Sequence, residues 1–303
     1  MIQLATLREF ARLGTMAAVA DSLGYTPGAV SQQLSALERS VGERLVERSG
    51  RHLFLTDAGR LLVRYADGII AAEREALAAV AAVNGQVAGP LTVGTWGSTT
   101  AGLLGPIVEL LRVRHPQVEL LSKEVDLDDA SASVRRGAVD IAFGLDYEDF
   151  PIGRERHVDM IELHVEPFAI AVSPTMAPDE REDVDAATLE GLPWILPPPT
   201  SRFGTAIRTG FRTRGFEPNV VHEVTDTAAS VLLAAAGLGA TVRTPLMRRL
   251  NHGLDLVELT MRSPMTRRIL LLKPSQFVQR STSAFVQAAK DVVGASLTTP
   301  PPV

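Results

Sequence analysis

The sequence predicts a mainly α N-terminal winged helix-turn-helix, then a long linker helix, then an α/β domain. Three observations carry this. Residues 1–57 hold short helical patterns with a turn-rich end. Residues 58–88 read as one long alanine-rich helix. From 89 onward, short apolar strands alternate with helical stretches, the pattern of an α/β domain.

The head comes first. Leu4, Leu7, Phe10 and Leu13 recur at helical spacing, and Gly14 ends that helix. A second short helix turns Ala17, Ala20 and Leu23 inward. Gly24 suits the left-handed conformation that closes a helix. Thr26 is a good N-cap, and Pro27 fits the first helical position, where no amide donor is needed. The third helix runs to about Ser40, with Val30, Leu34, Leu37 and Val41 inward and Ser31, Gln32, Gln33 and Ser35 pointing elsewhere. Two short helices joined by a tight glycine turn form the helix-turn-helix unit. The second helix of such a unit enters the major groove by its N-terminus, where Gln can bridge an adenine edge and Ser or Thr can reach bases or phosphates. Residues 45–48 and 52–55 flank Ser49-Gly50-Arg51 and read as a hairpin wing with Arg48 and Arg51 near its tip. Thr56 or Asp57 caps the next helix. Periodicity alone leaves two readings open, a DNA-binding head and a helical domain that binds no DNA.

The linker helix carries an apolar stripe of Leu62, Tyr65, Ile69, Ala72, Ala76, Ala79 and Val83 in mixed three- and four-residue steps, close to a coiled-coil seam. It packs either on its own domain or on a second copy. A long helix between two domains otherwise has nothing to bury against, which favours the second copy.

Composition bounds the function classes. The 303 residues suit two or three domains, and 46% hydrophobic with 21% charged residues is ordinary for soluble globular protein. No apolar run reaches the roughly 18–20 residues of a membrane helix. The N-terminal MIQLATLREFARLG mixes acid and base and lacks a signal peptide's zones, so a cytoplasmic location with no membrane partner is expected. The absence of cysteine excludes disulfides, thiolate metal sites and a cysteine nucleophile. The six histidines are scattered, so no metal site is expected. No GxSxG elbow or phosphate-binding Walker loop occurs, and Gly237-Leu238-Gly239 lacks the third glycine of a dinucleotide fingerprint. No cofactor is expected, and an enzyme is disfavoured. Net charge is −5, yet residues 1–64 hold eight Arg against six acids, a weak basic footprint that permits phosphate contact.

The order of motifs adds more. LREFARLGTMAAVADSLGYTPGAVSQQLSALERSVGERLVERSGRHLFLTDAGRLL (residues 7–62) strongly resembles the N-terminal domain of LysR-type transcriptional regulators, and the resemblance is unbroken from about Leu4 to Leu62. The carrying pieces are the first-helix pattern ending in Phe10, the alanine-rich second helix, AVSQQLSALE, Gly42, LVERSGR and LTDAGR. Many family members have Gln-Pro where this chain has Pro27-Gly28. The resemblance implies that Ser31, Gln32 and Gln33 face bases or phosphates, and Thr26 and Pro27 join this DNA-binding set as the first residues of the helix that enters the groove. It places Arg48 and Arg51 along the backbone or minor groove. It also implies a homodimer through the linker helix (Leu62, Tyr65, Ile69, Ala76, Val83), or a homotetramer of such dimers.

Expected strands lie at 91–93, 118–123, 140–143, 168–172, 194–196, 219–224, 240–242 and 269–272. Residues 90–295 resemble, more loosely, the family's effector-binding domain, two α/β lobes of the periplasmic-binding-protein type. The expected limits are lobe I at about 90–162 and 268–295 and lobe II at about 163–267, with the chain crossing near 161–168 and returning near 262–270. Ligands in such folds sit between lobes, at strand C-termini and helix N-termini. Three segments fit that position: Thr95, Ser98, Thr99 and Thr100; Thr200, Ser201 and Arg202; and Thr225 before its helix. The family adds Phe143. Ser98 and Thr227 can equally be ordinary N-caps. Arg202 could clamp a carboxylate bidentately, so an anionic small-molecule effector is the class to test. Three functions remain in view: a ligand-responsive regulator bound to double-stranded DNA, a metabolite-binding module with a vestigial head, and, least favoured, an enzyme.

Overall fold

The computed structural model describes residues 2–49, 52–81, 87–251, 253–275 and 278–296. Helices α1 (Ile2–Leu13), α2 (Met16–Leu23) and α3 (Pro27–Val41) are followed by a hairpin of β1 (Val46–Ser49) and β2 (His52–Leu55) and by α4 (Asp57–Ala81). Leu7, Phe10, Val19, Ala20, Val30, Leu34 and Leu45 form the head's core. Two expected inward positions differ. Ala17 is exposed, because Val19 takes the buried place on α2. Val41, the last residue of α3, is 46% exposed.

Gly59 fixes how α4 docks. A Cβ there would stand 2.1 Å from the Leu45 carbonyl oxygen, so only glycine lets the helix lie against the strand. Thr56 caps the helix, its hydroxyl accepting from Gly59 N at 3.0 Å and donating to Arg44 O at 2.6 Å. Further along, Ala66 and Ile70 cover Leu4, so the first half of α4 belongs to the head's own packing.

The second part opens with β3 (Gly89–Thr95), α5 (Gly97–Thr99), a π-turn at Thr100–Leu104, α6 (Gly105–Arg114), β4 (Val118–Glu124), α7 (Ala130–Arg135) and β5 (Ile141–Tyr147). β6 (Val158–Pro167) completes the first passage through lobe I. Lobe II holds β7 (Ala169–Val172), α8 (Ala186–Glu190), β8 (Pro193–Leu196), α9 (Arg202–Thr213), β9 (Asn219–Glu223), α10 (Thr227–Ala235), β10 (Thr241–Arg243) and β11 (Val257–Leu259). The chain returns through β12 (Thr266–Pro274) and ends the described part on α11 (Arg280–Ser296).

The lobe I sheet has the order β4-β3-β5-β12-β6, with β3 parallel to β4 and β5, and β12 antiparallel to β5 and β6. Lobe II pairs β10-β7-β11 antiparallel and β8-β9 parallel, joined by a bridge between Trp194 and Ala240. The sequence reading omits β6, whose polar and apolar residues intermix, and β11, which has only three residues. The approximate limits near 162 and 268 fall inside β6 and β12, which the first sheet keeps whole. β6 ends at Pro167 and β12 begins at Thr266, within the expected crossings, and there Phe168 N donates to Met265 O at 2.9 Å. Among the described residues, no helix is long and apolar enough to cross a membrane.

Candidate functional site

The first candidate site is the outer face of α3. Gly24 closes α2 in the left-handed region (φ 69), and Thr26 opens α3, its hydroxyl accepting from Ala29 N at 3.2 Å with Pro27 next to it. That bond occupies Thr26 in capping. Ser31, Gln32 and Ser35 are exposed. With Gln3, Ala29, Gln33, Ala36 and Arg39 they line a concavity of about 590 Å³. Gln33 is tied inward, its side-chain amide meeting the buried Thr6 hydroxyl. Arg39, absent from the sequence-based set, continues the Ser31 and Ser35 row at four-residue steps. The spacing was the signal that could have found it. Glu38 fixes the wing relative to this face, one carboxylate oxygen accepting from Leu45 N at 2.9 Å and Val46 N at 3.1 Å. Arg48 is exposed on β1. Arg51 lies outside the described residues.

On α4, Tyr65 (63% exposed), Ile69 (42%), Leu77 (64%) and Val80 (71%) form an uncovered apolar row, and Ala76 is exposed beside them. Leu61, 47% exposed, begins the row. Leu62 is instead turned into the head's own core. Val83 lies outside the described residues.

The second candidate site is the seam between the lobes. β3 delivers Thr95 to its C-terminal end, where Thr95 Oγ1 lies 3.2 Å from Thr99 Oγ1 and 2.8 Å from Thr100 Oγ1. Thr99 donates to Trp96 O at 2.8 Å, so these hydroxyls stabilise the turn itself. Trp96 Nε1 donates to Phe143 O at 3.2 Å. The Phe143 ring is fully buried and packs edge-on against Phe285, so this residue lends the seam its carbonyl rather than its ring. Ser98 is no N-cap, because its hydroxyl receives Arg267 Nη2 at 3.2 Å.

Arg267 is the centre of this seam, and sequence reasoning missed it. Its side chain and that of Glu166 are almost wholly buried. Arg267 Nε donates to Glu166 at 2.7 Å and Nη2 to Thr244 Oγ1 at 2.9 Å. The second Glu166 oxygen accepts from Leu246 N at 2.9 Å. Ser98 stands in lobe I, and Thr244 and Leu246 stand in lobe II, so one ion pair joins both. Arg267 Nη1 and Tyr147 Oη are buried with no hydrogen-bond partner among the described residues. Burial pushes the Tyr147 phenol above its ordinary range, so it stays protonated.

From lobe II, Ser201 caps α9 through Gly204 N at 3.0 Å. Arg202 N donates to Asp128 at 3.3 Å, while its guanidinium lies over the Phe150 ring at 4.9 Å and donates to Pro151 O at 3.4 Å. Arg202 thus fastens the two lobes and does not present an open fork. Thr200 and Thr225 are exposed and take no part in these bonds, and Asp226 rather than Thr227 caps α10.

A helix-turn-helix head carried on a long helix ahead of a two-lobed α/β domain defines a class of two-part regulators. Comparison with known proteins specifies the class. Residues 1–60 match the bacterial regulatory helix-turn-helix protein model of the lysR family, and residues 84–294 match the LysR substrate binding domain. The chain belongs to the LysR family of transcriptional regulators. It is 24% identical over 292 residues to an uncharacterized HTH-type regulator, YfeR, of Shigella flexneri, covering 96% of this chain and 90% of that one. It is 28% identical over 255 residues to the probable cat1 operon transcriptional activator of Acinetobacter lwoffii (83% and 80% covered). Among solved structures, CbnR, a LysR family regulator, shares the fold with a TM-score of 0.69 at 20% identity, covering 96% and 98% of the two chains. Full-length CbnR in complex with its target DNA gives 0.69 at 21% identity, with 95% and 98% covered.

Proposed function

We propose that this chain is a ligand-responsive, sequence-specific regulator of transcription in the cytoplasm. It reads double-stranded DNA with α3 and the wing and responds to a small molecule held between its lobes. The observation that carries this is the exposed Ser31, Gln32, Ser35 and Arg39 face, fixed beside a wing that Glu38 anchors. Small and amide side chains allow a close approach to base edges, and Arg39 and Arg48 supply charge for phosphates. The CbnR complex with DNA supports the same use of the fold.

Two copies act together through the apolar row of α4, as a dimer or as paired dimers. An effector that favours one arrangement of the lobes then re-spaces the heads, a shift of populations rather than a new contact at DNA. The chain works by binding and not by catalysis. The test is footprinting on the gene's own upstream region, with and without metabolite pools. A protected site that moves or changes strength with a pool is the expected result. No protection at low salt would remove the DNA reading, and protection indifferent to every pool would remove the effector.

A further inference from the structure

Two buried donors in the seam, Arg267 Nη1 and Tyr147 Oη, have no acceptor among the described residues. Such groups are rare in folded proteins and call for a functional account. Residues 147 and 267 are paired directly across β5 and β12, so their side chains leave the same face of the sheet. Aromatic rings enclose both. Tyr147 stacks on Phe203 with centroids 5.9 Å apart and planes 10° apart, and Phe203 stacks on Phe168 at 6.1 Å. The Arg267 guanidinium lies 5.8 Å from the Trp96 and Phe168 rings.

The charges around these donors cancel. Glu166 already neutralises Arg267, and Asp128, which accepts from Arg202 N, stands beside Arg202. A ligand carboxylate brought to Arg267 would lie close to the Glu166 carboxylate in a site poor in water, where like charges repel strongly. A neutral oxygen acceptor meets no such repulsion and satisfies both donors. The flat rings favour a flat apolar body.

We propose that the seam binds a small neutral molecule with a flat apolar body, whose carbonyl-type oxygen is received by Arg267 Nη1 and Tyr147 Oη. This rests on the effector reading above and names its ligand class. Phe203 opens α9 in lobe II while Tyr147 belongs to lobe I, so a flat ligand entering the stack alters the contact through which the lobes touch.

Calorimetric titration of the full-length protein with matched pairs tests this: benzamide against benzoate, and nicotinamide against nicotinate. Expected is saturable binding of an amide, about tenfold or more tighter than its carboxylate partner and weakened about tenfold by Tyr147→Phe, the size of one lost hydrogen bond. That variant removes an oxygen with no partner, so its fold and Tm should hold. Phe203→Ala, which opens the stack, should weaken the same amide. A carboxylate that binds more tightly than its amide, and is weakened by Tyr147→Phe, would overturn the neutral class while leaving the effector seam in place. Binding indifferent to both variants would place the ligand elsewhere and overturn both readings. No heat from any of the four probes would overturn the proposed chemistry, with the footprinting result still deciding the effector reading.

Discussion

Gly59 shows how one residue sets the geometry of the head. Gly59→Ala forces a Cβ into the Leu45 carbonyl, and the strand or the helix must shift. The expected cost is about 1–3 kcal/mol, the range for overpacking, read as a lower urea midpoint. Glu9 gives a pH signature. The hydrogen bond from Arg12, helped by Ser22, lowers its carboxyl from 4.5 to about 2 against the opposing effect of burial. A depressed carboxylate stabilises fully above its ordinary value, and that stability drains away as pH falls from about 4.5 toward 2. Acid melts of Glu9→Gln should therefore show a shallower loss across this window than the parent protein does. At this scale the sequence was informative where bonds are local: Thr26 and Thr56 cap helices three residues ahead of themselves, and Pro27 takes the first helical position. Arg267 was opaque, because adjacent arginines read as solvated charge. Its burial depends on Glu166, 101 positions away.

Among the elements, α4 divides its labour. Its first turns close the head, and its outer row of Tyr65, Ile69, Leu77 and Val80 stays exposed among the described residues. Ile69→Pro removes a helical hydrogen bond and clashes with the preceding turn, costing about 3 kcal/mol of helix. If two heads bind DNA as one unit, this change should reduce affinity for the protected site as much as Gln32→Ala does, measured by gel shift. It should also move sedimentation toward the monomer. Unaltered affinity would show that each head binds alone. The stripe was legible from spacing, but its phase at the N-terminal end was not. Leu61 and Leu62 are both apolar, and only the docking imposed by Gly59 decides which faces the core. Strands β3, β5 and β12 were readable from continuous apolar runs, as buried parallel or central strands are. β6 was not, since an edge strand with one open face carries mixed residues.

Across the whole molecule, the Glu166–Arg267 pair ties two lobes to a returning strand. Glu166→Leu leaves a buried guanidinium without its counter-charge and should cost about 3–5 kcal/mol in chemical denaturation. Glu166→Leu combined with Arg267→Met should recover most of that, because a buried pair replaced by apolar groups of similar volume is often close to neutral. Equal losses in the single and double variants would show that the bonds to Ser98, Thr244 and Leu246 matter more than the charge. The two-part layout was legible in the motif order and in the break at Gly89-Pro90. The closeness of the lobes was not, because it depends on contacts such as Gly102, where a Cβ would stand 2.1 Å from the Leu246 side chain. The cover that Ala66 and Ile70 give to Leu4 bears on recombination. The match to the helix-turn-helix family ends at residue 60, yet a head severed there would strip Leu4 of the cover that Leu62, Ala66 and Ile70 give it. Heads exchanged between regulators of this kind should therefore transplant intact only when the junction falls beyond Ile70, which makes the middle of the helix, and not its start, the natural seam for a chimera.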